Sequence, residues 1–117
     1  MAKKIMVVDD DPVVVKYLVN LFQDNGYDTC AAEDGTVAFD LLENEKPDLI
    51  TLDLEMKKEW GPRFYRRLTK DDEYQDIPVI VISGLPRPEL AIKRAVATLA
   101  KPFDREELIK IVKETIG

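Results

Sequence analysis

Short continuous apolar runs alternate with amphipathic stretches from one end of the chain to the other, and that alternation leaves few folds open. Ile5–Val8, Leu49–Leu52 and Pro78–Ile82 read as strands buried on both faces, because a strand with one wet face would alternate polar and apolar residues. Between them the apolar spacing changes to that of helices. Asp11 suits an N-cap and Pro12 the first helical position, after which Val14, Leu18, Leu21 and Phe22 share a face and Gly26 stops the helix. Asp28–Ala32 is a weaker strand. Gly35–Glu45 carries Val37, Ala38, Leu41 and Leu42 at helical spacing and is closed by Pro47.

Gly61-Pro62 opens a helix through about Lys70, with Phe64 and Leu68 on one face. Pro88 to about Ala95 reads as a short helix, with Pro86 and Pro88 stiffening the loop before it. Ala97–Ala100 is taken as a strand from its place in the series. Asp104 and Glu107 form a capping-box pattern before Leu108, Ile111, Val112 and Ile116. Five strand–helix units in succession predict a doubly wound α/β fold. Its sheet is parallel and five-stranded, in the flavodoxin-like order 2-1-3-4-5, with helices on both faces. No linker or low-complexity tract interrupts the series, so residues 1–117 are expected to form one domain.

Composition narrows the chemistry. The chain is 45% hydrophobic and 34% charged, and its longest apolar runs are far too short to span a bilayer. No signal-peptide stretch follows Met1, so a cytoplasmic protein is expected. Net charge is −6, and the lysines and arginines look scattered along the sequence, which argues against direct nucleic-acid binding. Cys30 is the single cysteine and reads as a buried, inert thiol. There is no histidine, which excludes Ser–His–Asp or Cys–His nucleophiles, histidine metal ligands and phosphohistidine.

In a sheet of this type, ligands bind beyond the carboxyl ends of the strands at the switch point. The first strand ends in Asp9-Asp10-Asp11, the third in Asp53, the fourth in Ser83-Gly84 and the fifth in Lys101-Pro102. Because Asp11 suits the cap, Asp9 and Asp10 are free to join Asp53 in one crevice. Three crowded carboxylates either hold protons or surround a cation, and an all-oxygen donor set favours Mg²⁺ or a similar ion. Lys101 adds a point charge suited to a phosphoryl group, and Ser83 adds a hydroxyl. A carboxylate nucleophile, a metal cage, an ammonium and a hydroxyl are the equipment for phosphoryl transfer to aspartate.

Four segments together resemble the response-regulator receiver domain. They are Val7-Val8-Asp9-Asp10-Asp11-Pro12, Leu52-Asp53-Leu54-Glu55-Met56 with Gly61 eight positions after the aspartate, Ile77 through Gly84, and Lys101-Pro102-Phe103. The resemblance implies that Asp53 is phosphorylated by a partner histidine kinase, a phosphotransfer protein or a small acyl phosphate. It implies that Asp10 and Asp53 ligate Mg²⁺ directly with the backbone carbonyl of Glu55, while Asp9 acts largely through water. Lys101 would contact phosphoryl oxygens, Ser83 would swing toward them, and Lys101-Pro102 is a candidate cis peptide. Such a domain is a switch rather than an enzyme. It assists its own phosphorylation and dephosphorylation and changes its affinity for a downstream protein, with no direct nucleic-acid or membrane partner.

Three features depart from the family pattern. Lys57 stands where proline usually follows the methionine, leaving Lys57-Lys58-Glu59-Trp60 less constrained and more basic. Thr98 stands where the family usually has a tyrosine or phenylalanine. The stretch from Ser83 to Lys101 is shorter by roughly four residues, about one helical turn. Output through Ser83, the reshaped region after it or the Trp60 loop is therefore expected in place of the aromatic relay. A pseudo-receiver that binds its partner constitutively is the alternative reading. A flavodoxin-type binder is disfavoured, because Asp9-Asp10-Asp11 would repel a phosphate where that type needs an anion cradle. With no room left for an attached effector domain, the chain reads either as a stand-alone regulator or as one domain of a longer protein.

Overall fold

The computed structural model describes residues 2–55, 61–84 and 95–117. The strands are β1 (Lys4–Val8), β2 (Asp28–Ala32), β3 (Leu49–Leu52), β4 (Val79–Ser83) and β5 (Ala97–Ala100), and the helices are α1 (Pro12–Asp24), α2 (Gly35–Glu45), α3 (Gly61–Lys70) and α4 (Arg105–Ile116). The helix expected from Pro88 lies, but for Ala95, outside the described residues. So do Pro86 and the Lys57–Trp60 loop.

All four strand pairings are parallel, in the order β2-β1-β3-β4-β5 that the sequence predicts. Side chains that alternate along each strand feed two separate cores. Ile5 and Val7 of β1 pack with Leu49, Ile80 and Ile82 under Leu18 and Phe22 of α1 and Leu108 and Val112 of α4. Met6 and Val8 face the other way, with Ile50, Leu52, Val79 and Val81, under Ala38 and Leu42 of α2 and Phe64 and Leu68 of α3. Phe22 and Phe64 are wholly buried, and each contributes about 1.5–3 kcal/mol by leaving water. No described helix is long and apolar enough to cross a membrane.

Helix ends follow local chemistry. Asp11 caps α1 by accepting from Val13 N at 2.9 Å, with Pro12 in the first turn, and Gly26 (φ 89) ends the exit turn in a conformation that L side chains rarely adopt. Asp104 caps α4 by accepting from Glu106 N at 2.8 Å and Glu107 N at 3.3 Å. Asp34 caps α2 in the same way through Val37 N at 2.9 Å. Cys30 is half-buried rather than buried, because it sits on the edge strand β2. Burial, and next the Glu45 charge, push its thiol up to about 11, which disfavours the thiolate.

Candidate functional site

Backbone hydrogen bonds continue one residue past the strands and fix the site there. Asp9 N donates to Ala32 O at 3.1 Å, Asp53 N to Val8 O at 2.9 Å, and Lys101 N to Ser83 O at 2.9 Å. Asp9, Asp53 and Lys101 thus project from the same end of the sheet with little freedom to splay, and Ser83 ends β4 beside them. Asp9, Asp53 and Ser83 are buried, whereas Asp10 is half-buried and Glu55 is exposed.

Side chains then close the pocket. Lys101 Nζ donates to Asp9 Oδ2 at 2.9 Å and stands 3.6 Å from Asp53 Oδ1, bridging two carboxylates from different strands. Asp11 N donates to Asp9 Oδ1 at 2.9 Å, and Glu55 N donates to Asp53 Oδ1 at 3.3 Å. The Lys101-Pro102 peptide is cis, as the resemblance implies. Phe103 packs edge-on against Tyr17 of α1, with ring centroids 6.0 Å apart. Beside Asp9 and Asp10 a groove of about 640 Å³ runs between α1 and the end of β2, with Lys16 and Glu33 among its walls.

Among the described residues, the electrostatics are weighted toward negative charge. Burial, and next the Asp9 charge, push the Asp53 carboxyl up to about 6, against the opposing pull of Glu55 N–H and Lys101. Burial alone would lower the Lys101 ammonium, but its hydrogen bond to Asp9 and the two carboxylate charges outweigh that and raise it. A carboxyl oxygen from each of Asp9, Asp10 and Asp53 lies within 4.8 Å of the others, a geometry that fits a small divalent cation. The donor set is all oxygen, and its surplus negative charge is what such an ion would offset. The residues fit.

A contribution that spacing alone does not reveal comes from Gly61. Its N–H donates to Leu54 O at 3.2 Å, and a Cβ placed there would stand 2.6 Å from both Asp53 O and Leu54 Cα. Only glycine lets the start of α3 lie flush against the backbone that carries Asp53. The sequence marks this glycine by its offset from Asp53, but the close approach is visible only in three dimensions.

Comparisons with known proteins bear on the family and the fold. The family model described as the response regulator receiver domain matches residues 5–113. Protein Rrf1 of Nitratidesulfovibrio vulgaris is 35% identical over 117 residues, covering 100% of this chain and 85% of Rrf1. Protein PilH of Pseudomonas aeruginosa is 32% identical over 118 residues, covering 97% of this chain and 98% of PilH. Among solved structures, the chemotaxis protein CheY4 of Vibrio cholerae superposes with a TM-score of 0.90 at 26% identity, covering 99% of this chain and 100% of that one.

Proposed function

Since the chain belongs to the response regulator receiver domain family, we propose that it is a phosphorylation switch whose acceptor is Asp53. Its 117 residues act as one receiver domain in the cytoplasm. Receiver domains are switch domains rather than classical enzymes, and they work with histidine kinases or phosphotransfer proteins upstream and an effector downstream. The observation that carries the reading is the convergence of Asp9, Asp10, Asp53 and Lys101 at one end of the sheet, with Lys101 Nζ 3.6 Å from Asp53 Oδ1.

An ionised Asp53 oxygen attacks the phosphorus of the donor, forming a P–O bond as the P–N bond of a phosphohistidine, or the P–O bond of an acyl phosphate, breaks. Glu55 N–H and the Val8 carbonyl hold the Asp53 segment so that the attacking oxygen needs little reorganisation. Lys101 leaves its place between Asp9 and Asp53 for the incoming phosphoryl oxygens, whose charge it offsets. Asp10, Asp53 and the Glu55 carbonyl, helped by Asp9, would hold a Mg²⁺, which would supply further charge neutralisation. Ser83, at the end of β4, reports occupancy by moving its hydroxyl toward the phosphoryl group. Water later attacks the acyl phosphate, releases inorganic phosphate and restores the Asp53 carboxylate.

The alternative of a constitutive binding module is favoured by Thr98, a half-buried residue of β5 with no ring to bury or expose. Amide spectra with Mg²⁺ and beryllofluoride separate the two. The switch predicts shifts at Ser83 and through β5 in the wild type and none in Asp53→Asn. Shifts confined to Asp9, Asp10 and Asp53 would establish the constitutive module instead.

A further inference from the structure

The four cationic side chains of α3 fall outside the phosphoacceptor site. We propose that the outer face of α3 is a docking surface for a short acidic segment of a partner protein. The helix Gly61–Lys70 holds Arg63, Arg66, Arg67 and Lys70 and not one acid, in a chain of net charge −6 with 17 cationic residues. Ten residues would carry one or two of those cations by chance; these carry four. Their spacing of three, four and seven positions places them in one stripe about 10 Å long. Phe64 and Leu68 occupy the opposite, buried face, so packing fixes which way the stripe points.

The stripe is wet, partly unpaired and partly preorganised. Arg63, Arg66 and Lys70 are exposed and make no ion pair with the described residues. The Arg67 guanidinium lies 4.3 Å over the ring of Phe39, which itself meets Tyr74 edge-on at 5.9 Å. A guanidinium held over an aromatic ring has less rotamer entropy left to lose on binding, and arginine and tyrosine are enriched in interface hot spots. Among the described residues, no such ledge supports the lysines of α4.

Chemistry selects the occupant. Carboxylates three or four residues apart on a helix match both the spacing of the stripe and the bidentate fork of arginine. A nucleic acid is disfavoured, because a polyanion running past the stripe would meet Asp71, Asp72, Glu73 and Asp76 immediately beyond Lys70. A membrane is disfavoured too, because the apolar side chains of α3 point inward and leave nothing to insert.

The test uses the full, unphosphorylated chain, so its failure would leave the phosphoacceptor reading untouched. The probe is a synthetic helical peptide with paired glutamates at i and i+4, followed by amide NMR at low and moderate salt. Shifts should centre on residues 61–70 and Phe39, and affinity should fall about tenfold in Arg63→Glu/Arg66→Glu but stay within about twofold in Lys110→Glu/Lys113→Glu. Far-ultraviolet circular dichroism confirms that both variants fold. Equal losses in the two variants, or shifts elsewhere on the surface, would overturn the proposal. So would tighter binding of a short DNA duplex or of phosphatidylserine vesicles, or self-association of the chain through the same arginines.

Discussion

Two charged regions of this molecule lie next to each other in sequence and behave in opposite ways. At the carboxyl ends of β1 and β3, Asp9 and Asp53 are 3% and 4% exposed, and Asp53 titrates near 6 because it is buried beside a like charge. Eight residues after Asp53, α3 begins and sets four exposed cations out in water. The lesson concerns burial rather than charge count. Desolvation turns a carboxylate into a group that must find a proton, a cation or an electrophile, whereas solvated charge carries only recognition.

Substitutions at Lys101 should break this contrast most sharply. Lys101→Ala removes an ammonium that reaches both Asp9 and Asp53 and should slow phosphoryl uptake from acetyl phosphate by roughly 100-fold, as measured by intact-mass kinetics. A loss under threefold would mean the lysine does not meet the phosphoryl group. Gly61→Ala should cost about 2–4 kcal/mol in urea unfolding, since a methyl 2.6 Å from the Asp53 carbonyl forces backbone apart. An unchanged midpoint would contradict the close approach.

The pH dependence follows from the direction of the Asp53 shift. Its folded value, about 6, lies above the ordinary 3.8, so the folded state holds the proton more tightly. That contribution to stability is complete below the unfolded value and is lost as pH rises through about 6. In a chelator, the wild type should therefore lose on the order of 1–2 kcal/mol between pH 4 and pH 7 relative to Asp53→Asn, and Mg²⁺ should restore much of it. Parallel pH profiles for the two proteins would show that the carboxyl is not strained. The smallest effect is expected at the other region, where Arg66→Ala should change stability by less than about 0.5 kcal/mol. A larger loss would mean that the α3 cations hold the fold together.

Much of this was legible beforehand, for reasons that differ from place to place. β1, β3 and β4 are buried on both faces, so their composition alone marks them; alternation makes the sheet parallel, and its order is a common one for doubly wound folds. β5 has one buried residue, Leu99, with Ala97 half-buried against the same core, and its place in the series is what marks it. Asp34 as the cap of α2 and Lys46 in the left-handed region at its end were not foreseen. The acid Asp34 directly before Gly35 was a usable signal for the first, and a lysine with φ 46 offers none for the second. Asp9, Asp53 and Lys101 were each placed at a strand end, but the hydrogen bond between Lys101 and Asp9 spans 92 positions and has no trace in spacing. Four of the 17 cations that look scattered along the sequence are gathered by α3 into one stripe, which linear inspection hides because the helix brings every third and fourth residue together.

The central claim concerns which atom takes the phosphoryl group, and one chemical mapping decides it. The protein is incubated with acetyl phosphate and Mg²⁺, reduced with borohydride, which converts an aspartyl phosphate to homoserine, and sequenced by mass spectrometry. Homoserine at position 53, absent when Mg²⁺ is withheld and absent from Asp53→Asn, is the predicted result. Homoserine at Asp9 or Asp10, or an unmodified Asp53 under conditions that label a known receiver domain, would contradict the account.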